Sequence, residues 1–175
     1  MAIQEVNSDP HRQQRLYWKQ MVMLKDATVY ISLRRDHLGR WVQGLGTLKA
    51  FASCGSIAAW AVWKEYAFVW AFIIAASQLA DALKDVFPFA KLHKAASVYA
   101  ITLSHLFIDA ELEWEAIYSG KYTDDEIMNR VHKLKKLQLD AEQRNFPDGL
   151  AVKESLRQRA EKEAELYFKS AHDID

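Results

Sequence analysis

Residues 42–83 read VQGLGTLKAFASCGSIAAWAVWKEYAFVWAFIIAASQLADAL, and this stretch governs how the remainder of the chain is understood. Between Gly44 and Trp63 the polar face of the preceding segment disappears, and after Lys64-Glu65 a second apolar run extends from Tyr66 to Leu83. Each run approaches the ~20 residues that cross a bilayer core. The charged residues within them are Lys49, near the start of the first, and Asp81, near the end of the second. With a turn at Lys64-Glu65, Lys49 lies fifteen residues before Lys64 and Asp81 sixteen after Glu65, so an antiparallel pair sets them at nearly equal depth. At ~1.5 Å per residue that depth is about 23–25 Å from the turn, close to the far interface, where the two can pair or snorkel. The pattern predicts a hairpin of two transmembrane helices, 42–63 and 66–83.

Aromatic side chains fall at both ends of this hairpin: Trp60, Trp63, Tyr66 and Trp70 around the turn, Trp41, Phe87 and Phe89 at the open end. Such belts anchor helices at the headgroup level. Arg34, Arg35, Arg40, Lys84, Lys91 and Lys94 flank the open end against a lone Lys64 in the turn, which predicts that both termini lie in the cytoplasm. Small residues recur as Gly46, Ala50, Ser53 and Cys54 on the first run and Ala71, Ala75, Ala76 and Ala80 on the second, faces that let helices approach in lipid. Ser53, Ser56, Ser77 and Gln78, with Lys49 and Asp81, are the polar groups within the hairpin. Two helices enclose no pore, so a polar path would take several copies; hydrogen bonding between helices is the plainer use.

Outward from the hairpin the chain reads as helix throughout. Asp9 before Pro10 predicts a helix start, and from it Tyr17, Leu24, Ile31, Leu38 and Leu45 recur at sevens, with Met21, Thr28 and Val42 near the other seam. Phe87-Pro88-Phe89 predicts a break. A helix over 90–119 then carries Leu92, Ala96, Tyr99, Leu103, Leu106, Ala110, Trp114 and Ile117, with Gly120 as its stop. Thr123 to Glu126 has the capping-box spacing and opens a helix over 124–144, with Ile127, Val131, Leu134, Leu137 and Ala141 on one face. After the break at 145–149, a charged helix over 150–170 has only the thin stripe Leu156, Ala160, Ala164 and Tyr167, and is marginal without a partner.

Composition sets the remaining bounds. The 175 residues hold 23 Lys plus Arg against 23 Asp plus Glu, so no bulk charge attracts nucleic acid, and no direct nucleic-acid binding is expected. Three prolines and six glycines in a chain rich in Ala, Leu, Lys and Glu predict an all-α protein. The single Cys54 excludes an intrachain disulfide. Residues 1–10 lack signal-peptide features, so insertion would use the internal hairpin. The expected organisation is an amphipathic cytoplasmic helix over 1–41, the hairpin over 42–83, a cytoplasmic helical pair over 88–145 and a charged helix over 146–175.

Chemistry-bearing motifs are absent: no nucleophile elbow, phosphate-cradling loop or metal-ligand spacing occurs, so no catalytic residue, cofactor or metal is expected. Asp109, Glu111, Glu113 and Glu115 form an acidic cluster whose plain reading is a solvated or intersubunit face, with a metal or acid–base site the alternative. The six histidines have no ligand spacing; His37 and His93 flank the hairpin and read as packing or headgroup contacts. Lys133, Lys135 and Lys136 read as a solvated face.

The order of elements resembles the SLATT family of two-transmembrane bacterial defence effectors. The likeness runs from Leu16 to Asn145, through Arg34-Arg35-Asp36-His37-Leu38-Gly39, the short hairpin, Phe87-Pro88-Phe89-Ala90-Lys91-Leu92-His93-Lys94, Trp114, and Gly120-Lys121-Tyr122-Thr123-Asp124-Asp125-Glu126-Ile127. The resemblance implies a homo-oligomeric effector that permeabilises the inner membrane in antiphage defence when a nucleotide signal or a separate sensor protein triggers it. The helix after Gly149 has no counterpart in that likeness and is a candidate docking arm for such a partner. A cytosolic helical adaptor with a buried hairpin is the competing reading, and a small enzyme built on the acidic cluster a third.

The asymmetry of basic flanks predicts that a cysteine placed at Lys64, in a Cys54→Ser background, is labelled by an impermeant maleimide only from the non-cytoplasmic side. Labelling of that site from the cytoplasm alone would refute the topology.

Overall fold

The computed structural model describes residues 11–54, 67–82 and 88–172. Five helices are present among them and no strand: α1 (Arg12–Cys54), α2 (Ala67–Ala82), α3 (Phe89–Tyr118), α4 (Asp124–Asn145) and α5 (Glu154–Ala171). The chain divides into two compact units. The first joins the chain up to Leu33 with the chain from Ser97 onward; the second is Arg34–Ala96.

In the first unit the seam read from the sequence is the core. Tyr17, Met21, Leu24 and Ile31 of α1 are all fully buried, as are Leu103 and Ile117 of α3 and Ile127 of α4. Later residues of α1 meet earlier residues of α3: Gln14 Nε2 donates to the Ile117 carbonyl, Tyr17 to that of Ala110, and Lys25 sits over Phe107. The two helices therefore run antiparallel. α3 and α4 do likewise, with Glu113 facing Arg130 and Tyr99 packed edge-on against Phe146.

Local chemistry accounts for the turn between α3 and α4. The Gly120 N–H donates to the Ile117 carbonyl and the Lys121 N–H to that of Ala116, both at about 3 Å, the paired bonds of a Schellman close. Gly120 takes φ +74°, which a side chain would resist. The capping box read at Thr123 is formed: Glu126 N–H donates to Thr123 Oγ1, and Thr123 N–H donates back to Glu126 Oε2 at 2.8 Å. The Thr123 backbone N–H first, then its hydroxyl at 2.9 Å, hold the Glu126 carboxyl below the usual range. Because the folded carboxyl is the stronger acid, this contribution is present at neutral pH and lost as pH falls through its folded value.

Helix α5 corrects two expectations. Its buried stripe is Ala160, Ala164 and Phe168, one residue on from the expected Tyr167. It is no free docking arm, because Phe168 packs against Trp18 at 5.1 Å and Phe107 at 6.2 Å. The partner the sequence called for is the chain's own α1 and α3. On α4, Leu137 is exposed, and Gln138 turns inward instead, accepting from the buried Gln20 at 3.1 Å.

In the second unit Leu38 and Ala96 are buried, and Trp41 stacks on Phe89 at 5.9 Å and 12°. A Cβ on Gly39 would lie 3.2 Å from His93 Nε2, so α1 and α3 approach closely here because position 39 has no side chain. Helix α2 has 16 residues and exposes Phe68, Val69, Phe72, Ile74 and Leu79. No helix among the described residues is long and apolar enough to cross a membrane. The expected spans 42–63 and 66–83 run partly outside those residues.

Leu103→Ala removes a fully buried side chain of α3 and is expected to cost ~2–5 kcal/mol in chemical denaturation. Leu112→Ala, on the exposed side of the same helix, is expected to change stability by less than ~0.5 kcal/mol. Equal losses at the two sites would contradict this assignment of the core.

Candidate functional site

The acidic residues of α3 converge with aromatic and basic groups from the other helices of the first unit. Tyr17 on α1 is fully buried, so its hydroxyl must find a partner; it donates to the Ala110 carbonyl at 3.1 Å and to Glu113 Oε2 at 3.0 Å. Arg130 of α4 donates to the other Glu113 oxygen, and its guanidinium lies 3.9 Å from the Tyr122 ring centroid. Burial, then the Glu113 charge, pushes the Tyr17 phenol far above its ordinary range, so it stays a neutral donor at all working pH values.

Glu111, one side of α3 away, accepts from Tyr167 Oη at 2.6 Å, and burial pushes that phenol up to about 12. Lys25 Nζ sits 3.3 Å from the Tyr167 ring centroid and 4.4 Å from that of Phe107. Desolvation pulls the Lys25 ammonium down, and the Glu111 charge opposes that shift. His172 stacks on Phe168 and meets Trp18 edge-on at 5.0 Å. Its Nε2 is buried 3.7 Å from Glu111, too far for a hydrogen bond.

Two of the four residues of the acidic cluster are thus committed to holding helices together. Glu115 lines an open cavity of about 370 Å³ with Trp18, Trp114, Tyr118 and His172, and Asp109 is exposed. A second cavity of about 360 Å³ opens between α1 and α5, with Trp18, Met23 and Asp26 on one side and Glu161, Ala164 and Phe168 on the other. Asp26 Oδ1 is buried there and accepts no hydrogen bond, and burial raises its carboxyl above the ordinary range. No group of His, Cys, Asp and Glu among the described residues is arranged to hold a metal ion. Sequence reading placed Tyr17 and Tyr167 on apolar stripes without a polar role, and gave no role at this site to Lys25, Asp26, Arg130 or His172. The one available signal was Tyr17 itself, a hydroxyl on an apolar seam that had to be satisfied.

The residues singled out in the hairpin fall differently. Trp41 and Phe89 are brought together; Lys49 and Ser77 are half-buried and Gln78 is exposed. Ser53 lies in α1, and Trp70 and Asp81 in α2, with their side chains outside the description. Ser56, Trp60, Trp63, Tyr66 and Phe87 lie outside the described residues, as does the Lys49–Asp81 pairing. A Cβ at Gly44 or Gly46 would meet nothing within 4 Å, so these small positions abut no other described residue.

Comparison with protein-family models, with curated proteins and with solved structures yields no match.

Tyr17→Phe and Glu113→Ala are expected to couple by ~0.5–2 kcal/mol in a double-mutant cycle read by denaturation, because each removes one partner of the same hydrogen bond. Additivity within ~0.5 kcal/mol would mean that the phenol relies on the Ala110 carbonyl alone.

Proposed function

We propose that this chain is a non-enzymatic, self-associating effector that inserts its central hairpin into the bacterial inner membrane. On activation by a nucleotide signal or a separate sensor protein, it permeabilises that membrane in antiphage defence. The observation that carries the reading is helix α2, where Phe68, Phe72 and Leu79 are 84, 68 and 60 % exposed. A helix apolar on several faces needs a cover, either lipid or protein. The resemblance to SLATT effectors supplies the biological setting, and the aromatic and basic residues flanking 42–83 supply the orientation, both termini cytoplasmic.

Helix α2 alone spans ~24 Å at ~1.5 Å per residue, less than the ~30 Å hydrocarbon core. In this reading, insertion therefore draws on flanking residues or on local thinning of the bilayer. The same shortfall favours a second reading, a helical adaptor whose α2 is covered by a protein partner. Fractionation separates the two.

The effector is expected to remain in carbonate-washed membranes and to release a trapped dye from anionic liposomes. Phe72→Glu with Ile74→Glu should abolish both, since charged side chains near the middle of a spanning helix cost roughly 2.5–3.5 kcal/mol each. Release of the unaltered chain into the carbonate wash would sink the membrane reading and leave the adaptor.

A further inference from the structure

The cavity between α1 and α5 has an apolar floor and an acidic rim. Trp18, Met23 and Phe168 line it, and the rim carries Asp26, Glu161 and Glu165 against a single Lys169. The cations in and near the rim are engaged by glutamates: Lys169 holds Glu165 at 2.8 Å, and Arg157, outside the cavity lining, holds Glu154 at 3.0 Å and Glu161 at 3.4 Å and offsets the Asp26 charge only in part. Asp26 is left with a buried oxygen that accepts nothing, one helical turn after Met23. A buried carboxylate in that state disfavours the charged form, and a cation brought to it would relieve the cost.

The same unit displays a surface of the opposite character. Lys135, Lys136 and Leu139 on α4 are all exposed, Leu139 at 52 %. Their spacing of three and four residues sets the two ammonium groups one turn before the leucine on a common helical face. The groove therefore offers an apolar floor with an acid one turn away, and α4 offers an apolar knob with bases one turn away.

We propose that α4 of a second copy of this chain docks in the α1–α5 groove, Leu139 entering beside Met23 and Lys135 or Lys136 pairing with Asp26. Groove and knob are different surfaces on every copy, so the contact either closes reciprocally about a two-fold axis, each knob in the other's groove, or runs head-to-tail into rings or open arrays. It deepens the self-association part of the effector reading and rests on that reading for its purpose, while both surfaces belong to the first unit alone. The attraction acts at a partly exposed rim and weakens as salt rises.

The test uses the full chain in non-ionic detergent, with mass read by sedimentation. The unaltered chain is expected to form multimers, and Asp26→Lys or the pair Lys135→Glu/Lys136→Glu each to weaken assembly ~10-fold or more. Mixing the two altered chains should restore it, because every groove then meets a knob of opposite charge. Asp26→Asn guards against misfolding: it removes a charge whose burial and whose neighbour Glu161 outweigh the relief from Arg157, so it should melt no lower than the unaltered chain and still assemble more weakly. In a Cys54→Ser background, Met23→Cys and Leu139→Cys should form a disulfide between copies. A monomeric unaltered chain, or no recovery on mixing two folded variants, overturns the proposal. So does a monomeric chain whose groove binds a synthetic Leu/Lys amphipathic peptide in an Asp26-dependent way, since the groove would then serve a foreign basic helix. Dye release is measured on the same preparations: multimers without leakage count against the membrane reading only, and leakage retained by the charge-reversed monomers counts against this contact only.

Discussion

The Tyr17 side chain is fully buried in the first unit, where a phenol left without a partner would cost roughly 1–3 kcal/mol. Its outlet is the Ala110 carbonyl and Glu113, and that choice constrains the rest. A half-buried carboxylate at Glu113 asks for a cation, which α4 supplies as Arg130. One hydroxyl thereby fixes the register of α1 on α3, and through Glu113 that of α4 on α3. Apolar stripes alone specify this less sharply, because a stripe of Leu, Ala and Ile slides by a turn at modest cost, whereas an unsatisfied buried donor does not.

Helix α5 is held by a parallel device. Its apolar residues are few and small, Ala160 and Ala164 with Phe168, and burial of so little surface would leave a highly charged helix marginal. Tyr167 closes the gap by hydrogen bonding Glu111 while its ring carries the Lys25 ammonium. The Tyr30 hydroxyl accepts from the Lys153 N–H at the other end of the helix, where no side-chain capping bond forms. The ladder of Arg157, Arg159 and Lys169 with glutamates along its solvent face adds little, because solvent screens these exposed pairs. The aromatic contacts with Trp18 and Phe107 therefore decide that α5 docks.

Much of this architecture was legible in the residues. The seven-residue recurrence of Tyr17, Leu24, Ile31 and Leu38, the capping box at Thr123, the stop at Gly120 and the break at Pro88 are local signals, and local signals survive without knowledge of the partner. What failed was anything that depended on rotation within a stripe. An apolar face is wide enough that Leu137 and Gln138, or Tyr167 and Phe168, are both admissible, and the partner helix chooses. Here α1 offered Gln20 to Gln138 and Trp18 to Phe168. The acidic run on α3 was unreadable for the same reason. Glu111 and Glu113 lie on different sides of the helix, and which of them meets Tyr167 or Tyr17 follows only once three helices are in register.

Two of the unsatisfied features among the described residues have opposite chemistry. The apolar side chains of α2 ask for a low-dielectric cover, whereas Asp26 in the α1–α5 groove asks for a cation. Lipid answers the first and does nothing for the second, because burying a carboxylate deeper without a partner only raises its cost. A basic protein surface answers the second, yet lysines set against Phe68 and Phe72 would surrender their own hydration for little return. With net charge zero over the chain, neither demand is met by bulk attraction. Each must be met by a local surface of matching character, and so the features that would bring copies together are separable from those that would bring the chain to a membrane.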